Sequence, residues 1–205
     1  MNRVAKNIEM SNCIAIFGDG FVLPDPKDFI SLFTQEELRG ANFADDPVMR
    51  LKVFDLPTKK FKYIFEGNRI RLEDYGFREP TDSLLVKELV RIVKAIYPNI
   101  KPVAYGFNYD AIYRFDSIVP QREVTKNFIE ENLQEQVKHF GWQYTLSKEK
   151  GRRLETYFFK VVSPIEIRLH SNFHFNYDDF LYDNRQGKFE RCYTLMDQAI
   201  EKLAF

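Results

Sequence analysis

Residues 102–115 read "PVAYGFNYDAIYRF", with Tyr105, Phe107, Tyr109, Tyr113 and Phe115 on odd positions and Asn108, Asp110 and Arg114 on even ones. Only an extended backbone sends alternate side chains to opposite faces, so this stretch predicts a long strand with one face of rings and one polar face. The pattern returns further along. Tyr157, Phe159, Val161, Ile165, Ile167, Leu169, Phe173 and Phe175 are again all odd. The chain holds 20 Phe and 11 Tyr against one Trp. Such rings bury large areas, so a sheet with a ring-lined interior is the expectation.

Other strands are shorter. "NCIAIFGDGF" predicts a buried strand ending in a Gly-Asp-Gly turn, and "VMRLKVFDL" another. "FKYIFE" and "RIRLED" flank the dipeptide Gly67-Asn68, which predicts a tight hairpin. "WQYTLSKE", "LETYFFKVV" and "PIEIRLHSNFHF" predict three more strands. Helical spacing appears in four places. Phe29, Leu32 and Phe33 share a face within "LPDPKDFISLFTQEEL". Leu85, Leu89, Ile92, Val93 and Ile96 form a stripe that ends just before Pro98. "REVTKNFIEENLQEQV" is the third helix. The fourth is the closing segment, with Phe189, Cys192, Tyr193, Met196, Ala199, Ile200 and Leu203 on one side. The segment "RGANFADDP" reads as a polar loop.

The order strand, helix, three strands, long helix occurs twice. "IAIFG" answers "VAYGF", "KDFI" answers "KNFI", and "YIFEGNRIRL" answers "FFKVVSPIEIRL", in the same order and at a near-constant spacing. The expected fold class is α+β: two similar β-α-β-β-β-α halves, 1–100 and 101–205, fused into one unit. Their strands would form a mainly antiparallel sheet with helices packed on one face. This order resembles tandem strand-helix-strand-strand modules, as in GyrI-like small-molecule-binding proteins, and the ferredoxin-like order. The resemblance implies ligand binding between the halves.

Composition narrows the chemistry. Thirty basic residues balance thirty acidic ones, so no global field attracts polyphosphate, nucleic acid or an anionic membrane. Cys13 and Cys192 stand far apart in apolar settings and predict buried free thiols in a reducing compartment. The first residues lack a signal-like apolar run, and no stretch reaches the roughly 20 apolar residues of a membrane span; a cytoplasmic protein is the expectation.

The segment "HSNFHFNYDDF" places His170 and His174 four apart, with Asp178 beyond. On a helix that pair would present two imidazoles to one metal ion. On a strand the rings stand about 13 Å apart, too far to share an ion directly. The strand pattern favours histidines on the polar face. "YGFNYDAIYRF" is loosely similar to the ring-bearing strand of RNA-binding sheets, but Tyr105 stands where that motif has a basic residue and Asp110 carries the wrong charge for phosphates. No phosphate-binding glycine loop, nucleophile elbow or paired-cysteine motif occurs. Arg71 and Arg168 are the middle residues of the matched "IRL" strands. With Arg69, Glu166 and His170 nearby, they predict either cross-strand ion pairs with Glu73 and Glu166 or a cradle for an anion or an acidic partner.

The functional expectation is a non-catalytic binding or assembly module acting through protein–protein contacts, including self-association as a homodimer, with no cofactor. The candidate ligand- or partner-binding residues are Arg69, Arg71, Tyr105, Tyr109, Tyr113, Arg168 and His170; His170, His174 and Asp178 are the weaker metal candidates. The alternatives are a small-molecule sensor with a pocket between the halves and, behind it, a metal-dependent hydrolase or an RNA-binding protein.

Overall fold

The computed structural model describes residues 2–117, 140–176 and 185–203. The helix expected over 122–137 and the candidate Asp178 lie outside the described residues. Nine strands form one sheet: β1 (Arg3–Phe17), β2 (Asn42–Asp46), β3 (Leu51–Leu56), β4 (Phe61–Glu66), β5 (Arg69–Asp74), β6 (Pro102–Phe115), β7 (Phe140–Lys148), β8 (Arg153–Ser163) and β9 (Glu166–Asn176). Among the described residues three α-helices accompany them: α1 (Pro26–Ile30), α2 (Leu85–Ile96) and α3 (Arg185–Glu201). The protein is therefore mixed α and β, with a large antiparallel sheet and few helices. No helix among the described residues is long and apolar enough to cross a membrane.

The spatial order is β2-β3-β4-β5-β1-β6-β9-β8-β7. Every neighbouring pair is antiparallel. The β1–β6 pair sits inside the sheet; β5, β4 and β3 follow outward on one side, and β9, β8 and β7 on the other.

Alternation decides which face is covered. Tyr105, Phe107, Tyr109, Ala111, Tyr113 and Phe115 are all buried, as are Phe173 and Phe175 across the β6–β9 pair. α2 packs on β1 and β5, and α3 on β6 and β9. Phe189 of α3 meets Phe107 and Tyr109 at ring-centroid distances of 5.4 and 5.1 Å. At the other end, Phe29 of α1 meets Phe54, Tyr63 and Phe65 at 4.0, 5.1 and 5.5 Å. Cys13 and Cys192 are both free and buried on this covered side.

Three local expectations change. The segment 42–46 is not a loop but the edge strand β2, paired with β3 and exposed along its length. An edge strand exposed on both sides leaves no apolar alternation to read, and its acidic residues blunt the open edge. β1 begins at Arg3, well before Asn12, because a register shift between Ile8 and Met10 breaks the phase of its pattern. α1 is a single turn. Asp25 caps it by accepting from the Lys27 amide at 2.8 Å. The chain then re-caps itself: the Thr34 amide donates to Glu37 Oε2 at 2.9 Å and the Glu37 amide to Thr34 Oγ1 at 3.2 Å. Phe29 and Phe33 stay buried without a longer helix.

Two glycines meet specific demands. Gly67, with φ +59°, takes the first central position of the β4–β5 hairpin. A Cβ on Gly141 of β7 would stand 2.8 Å from the backbone oxygen of Phe159 on β8 and 3.3 Å from the Phe158 ring. Gly141→Ala should therefore loosen the β7–β8 pairing, costing about 1–3 kcal/mol as an overpacked position. Urea unfolding midpoints would show it, with faster hydrogen exchange in β7 and β8 than in β1 and β6.

Candidate functional site

The face opposite the helices carries no described helix. Its centre is a polar row crossing all nine strands. Following the register outward, Asn12 of β1 lies beside Asn108, Asn172, Thr156 and Thr145 on one side and beside Glu73, Lys62, Asp55 and Asn42 on the other. The amides connect to each other. Asn108 Nδ2 donates to Asn12 Oδ1 at 2.6 Å, and Asn172 Nδ2 donates to Asn108 Oδ1. Thr145 and Thr156 bring their hydroxyls to 3.0 Å. Asn12 and Asn108 are almost fully buried, so their hydrogen bonds offset a desolvation cost.

One residue pair further along, the next row runs Ala44, Val53, Ile64, Arg71, Ile14, Gly106, His174, Leu154 and Ser147, and it is largely apolar across the first half of the chain. On β8 the same face presents Phe158 and Leu154, 39% and 36% exposed. A large face that mixes apolar side chains with satisfied polar ones has the make-up of a protein interface.

Three arginines of this face are paired within it. Arg69 Nη2 reaches Glu66 Oε2 at 2.7 Å, and Arg71 Nε reaches Glu73 Oε1 at 3.2 Å. Arg168 holds Glu9 in two contacts, Nε to Oε2 at 2.9 Å and Nη2 to Oε1 at 3.0 Å. The partner of Arg168 is thus the residue at the β1 register shift rather than Glu166, whose carboxylate accepts from Ser163 Oγ at 3.1 Å. Arg71 pairs with Glu73 along its own strand and not across to the next. Arg71 and Arg168 are not brought together. They stand three strand spacings and about six residues of strand apart, roughly 14 Å by 20 Å, too far to grip one small anion.

His170 and His174 both lie on the open face of β9. His170 Nδ1 is 2.9 Å from Asp110 Oδ1, and His174 Nε2 is 2.7 Å from Asn176 Oδ1. Among the described residues no group of three or more His, Cys, Asp or Glu is placed to hold a metal ion.

The tyrosine candidates occupy the other face. Tyr109 donates to the Phe189 backbone oxygen at 2.6 Å, Tyr113 donates to Asp197 Oδ1 at 2.6 Å, and Tyr105 accepts from Lys188 Nζ at 3.1 Å. Burial, and for Tyr113 the hydrogen bond to Asp197, pushes both the Tyr109 and Tyr113 phenols well up. These three tyrosines fasten α3 to the sheet, so they are not offered to a partner on the open face, and the rings that resemble an RNA-stacking strand lie beneath α3.

The amide row was not read from the sequence. Asn108 was visible as a polar position of β6, but only the register puts Asn12 and Asn172 beside it. The chain matches no protein-family model, and no curated protein sequence matches it.

Proposed function

We propose that the protein is a non-catalytic binding and assembly module that associates with a second copy of itself through the open face of the sheet. The observation that carries this is the nine-stranded face that no described helix covers, with the Arg69, Arg71 and Arg168 ion pairs closed within it and Phe158 and Leu154 exposed on it. At strand spacings of ~4.8 Å and ~3.3 Å per residue, nine strands present roughly 1,000 Å², against about 800 Å² per partner in a standard interface. That footprint suits a folded surface better than a small ligand. With a formal net charge of +0, two copies meet no net charge repulsion. A twofold contact brings the same face to itself, and the strand order on one side of the β1–β6 pair, β5-β4-β3, is matched on the other by β9-β8-β7.

That likeness also supports reading residues 1–100 and 101–205 as pseudo-equivalent halves, in the manner of tandem strand-helix-strand-strand or ferredoxin-like modules. In register, Arg71 lies between Ile14 and Ile64, and Arg168 between Ile112 and Lys160. On this reading "IAIF" at 14–17 answers "IYRF" at 112–115 rather than "VAYGF", and the duplication axis passes between β1 and β6.

Light scattering over a dilution series tests the proposal. The wild-type protein should be dimeric at high concentration with a dissociation constant in the micromolar range, about 8 kcal/mol of association. Phe158→Glu, at an exposed position that tolerates charge in the monomer, should raise that constant at least tenfold. A wild-type protein that stays monomeric at every concentration, or a Phe158→Glu variant as dimeric as wild type, would sink it.

A further inference from the structure

On the helical side, residues 81–90, from the start of α2 and the segment before it, and Arg185 and Gln186 of the first turn of α3 line a cavity of about 420 Å³. That volume falls in the ~300–1,000 Å³ range of small-molecule sites. We infer that this cleft binds a small organic acid, a carboxylate carried on an aliphatic or aromatic body. This assignment is independent of the open sheet face, which lies on the opposite side.

One wall is apolar: Leu84, Val86 and Val90, from the start of α2. Leu84 is 59% exposed, a large aliphatic side chain at the cavity wall that an apolar ligand body would cover. Among the described lining residues the charged ones are Lys87 and Arg185, and none is acidic. Three nearby acids are turned to other partners. Asp74 accepts from Ser83 Oγ at 2.7 Å and from Arg78 Nη1 at 3.2 Å. Glu88 faces away from the cavity, toward Arg91, Tyr63 and Lys59. Glu190 accepts from Gln186 Nε2 at 3.0 Å.

The polar groups of the cleft divide by role. Ser83 and Gln186 are committed to the frame, Ser83 to Asp74 and Gln186 to the Pro80 backbone oxygen at 2.8 Å as well as to Glu190. The side chains of Lys87 and Thr81 make no hydrogen bond or ion pair with any described residue, so among the described residues a cation and a hydroxyl stand at the cavity available to a ligand. A carboxylate would engage Lys87 and Thr81 and feel the positive charge of Arg185, while its body lies on the valines and Leu84. An inorganic anion would leave that apolar wall in water. A neutral amphiphile would leave Lys87 without its counter-charge.

Octanoate is a suitable probe, with octanol and inorganic phosphate as comparisons, followed by amide proton–nitrogen correlation spectra of the full chain. Octanoate should shift the resonances of residues 81–90 saturably. Octanol and phosphate should each bind at least tenfold more weakly. Lys87→Glu should weaken octanoate at least tenfold, and Leu84→Ser severalfold; both positions are exposed, so neither change disturbs the core. No saturable shift with octanoate, an unchanged affinity in Lys87→Glu, or phosphate binding as tightly as octanoate would each overturn the assignment.

Discussion

Glu88→Ala should lower the stability of the protein by about 3–5 kcal/mol, because it removes a carboxylate that ties α2 to β4 and the β3–β4 turn. Glu88 projects from α2 onto the covered face and is nearly buried. Its Oε1 accepts from the Tyr63 hydroxyl on β4 at 2.6 Å and from Arg91 Nη2 at 2.7 Å, and lies 3.3 Å from Lys59 Nζ in the β3–β4 turn. Its Oε2 accepts from Arg91 Nε at 2.9 Å, and Arg91 also donates to the Leu32 backbone oxygen at 3.0 Å, which ties in the segment after α1. Alanine leaves the Tyr63 phenol without its acceptor and the Arg91 guanidinium with only the Leu32 oxygen. For a chain of this length each kcal/mol moves the melting temperature by about 2–4 °C, so a drop on the order of 10 °C is expected. Glu88→Gln keeps an acceptor for Tyr63 and should cost less than alanine. A loss below about 1 kcal/mol for Glu88→Ala would mean that the network is not formed as described.

The same cluster sets an acid limit. Burial alone would raise the Glu88 carboxyl, but hydrogen bonds from Arg91 and Tyr63 and the charges of Arg91 and Lys59 outweigh it and hold it below its usual value. Glu37 is lowered from 4.5 to about 2, first by the hydrogen bond from Lys59 and then by the Thr34 amide. Both groups have folded values below their unfolded ones. Their contribution is therefore complete above about pH 4.5 and is lost as pH falls toward 2, when the folded protein must take up protons it resists. Unfolding midpoints between pH 7 and pH 2 should fall mainly in that window, and Glu37→Gln should flatten the slope there.

Phe107→Ala should have an effect of similar size, about 3–5 kcal/mol, for a different reason. Phe107 is fully buried at the middle of the covered face. Its ring lies 5.6 Å from Tyr105, 5.8 Å from Phe175 and 5.4 Å from Phe189 between centroids, and its register neighbours are Cys13 and Phe173. No neighbour can swing in to fill the space, because Phe175 is stacked on Tyr105 at 4.7 Å and Phe189 also packs on Tyr109. Leu154→Ala, on the open face, should change stability by less than about 1 kcal/mol when measured at low protein concentration. Equal costs at the two positions would contradict the assignment of covered and open faces.

Much of the sheet was legible because alternation is a local property. The odd-numbered rings of β6, β8 and β9 could share a face only if those segments were strands, and the stripe of α2 had to be buried against something. Legibility failed where the local signal is weak. β2 is exposed on both sides and shows no pattern. The shift between Ile8 and Met10 hides the first half of β1. Thr34 and Glu37 close a local cap that ends the helical reading after one turn.

The candidate sites divide in the same way. That Arg71, Arg168, His170 and His174 belong to polar strand faces followed from their position in the pattern. Which groups answer them did not. Arg168 meets Glu9 across 159 residues of sequence, and Asn12, Asn108 and Asn172 join only because β1, β6 and β9 are neighbours in a particular register. Likewise, the tyrosines of β6 were visible as one row, but only the packing of α3 shows that the row is covered. Periodicity alone determined which side chains point the same way, since that follows from backbone geometry. Tertiary structure decided what each face meets, since strand order and register depend on the summed burial of rings from distant segments, which no short stretch of sequence contains.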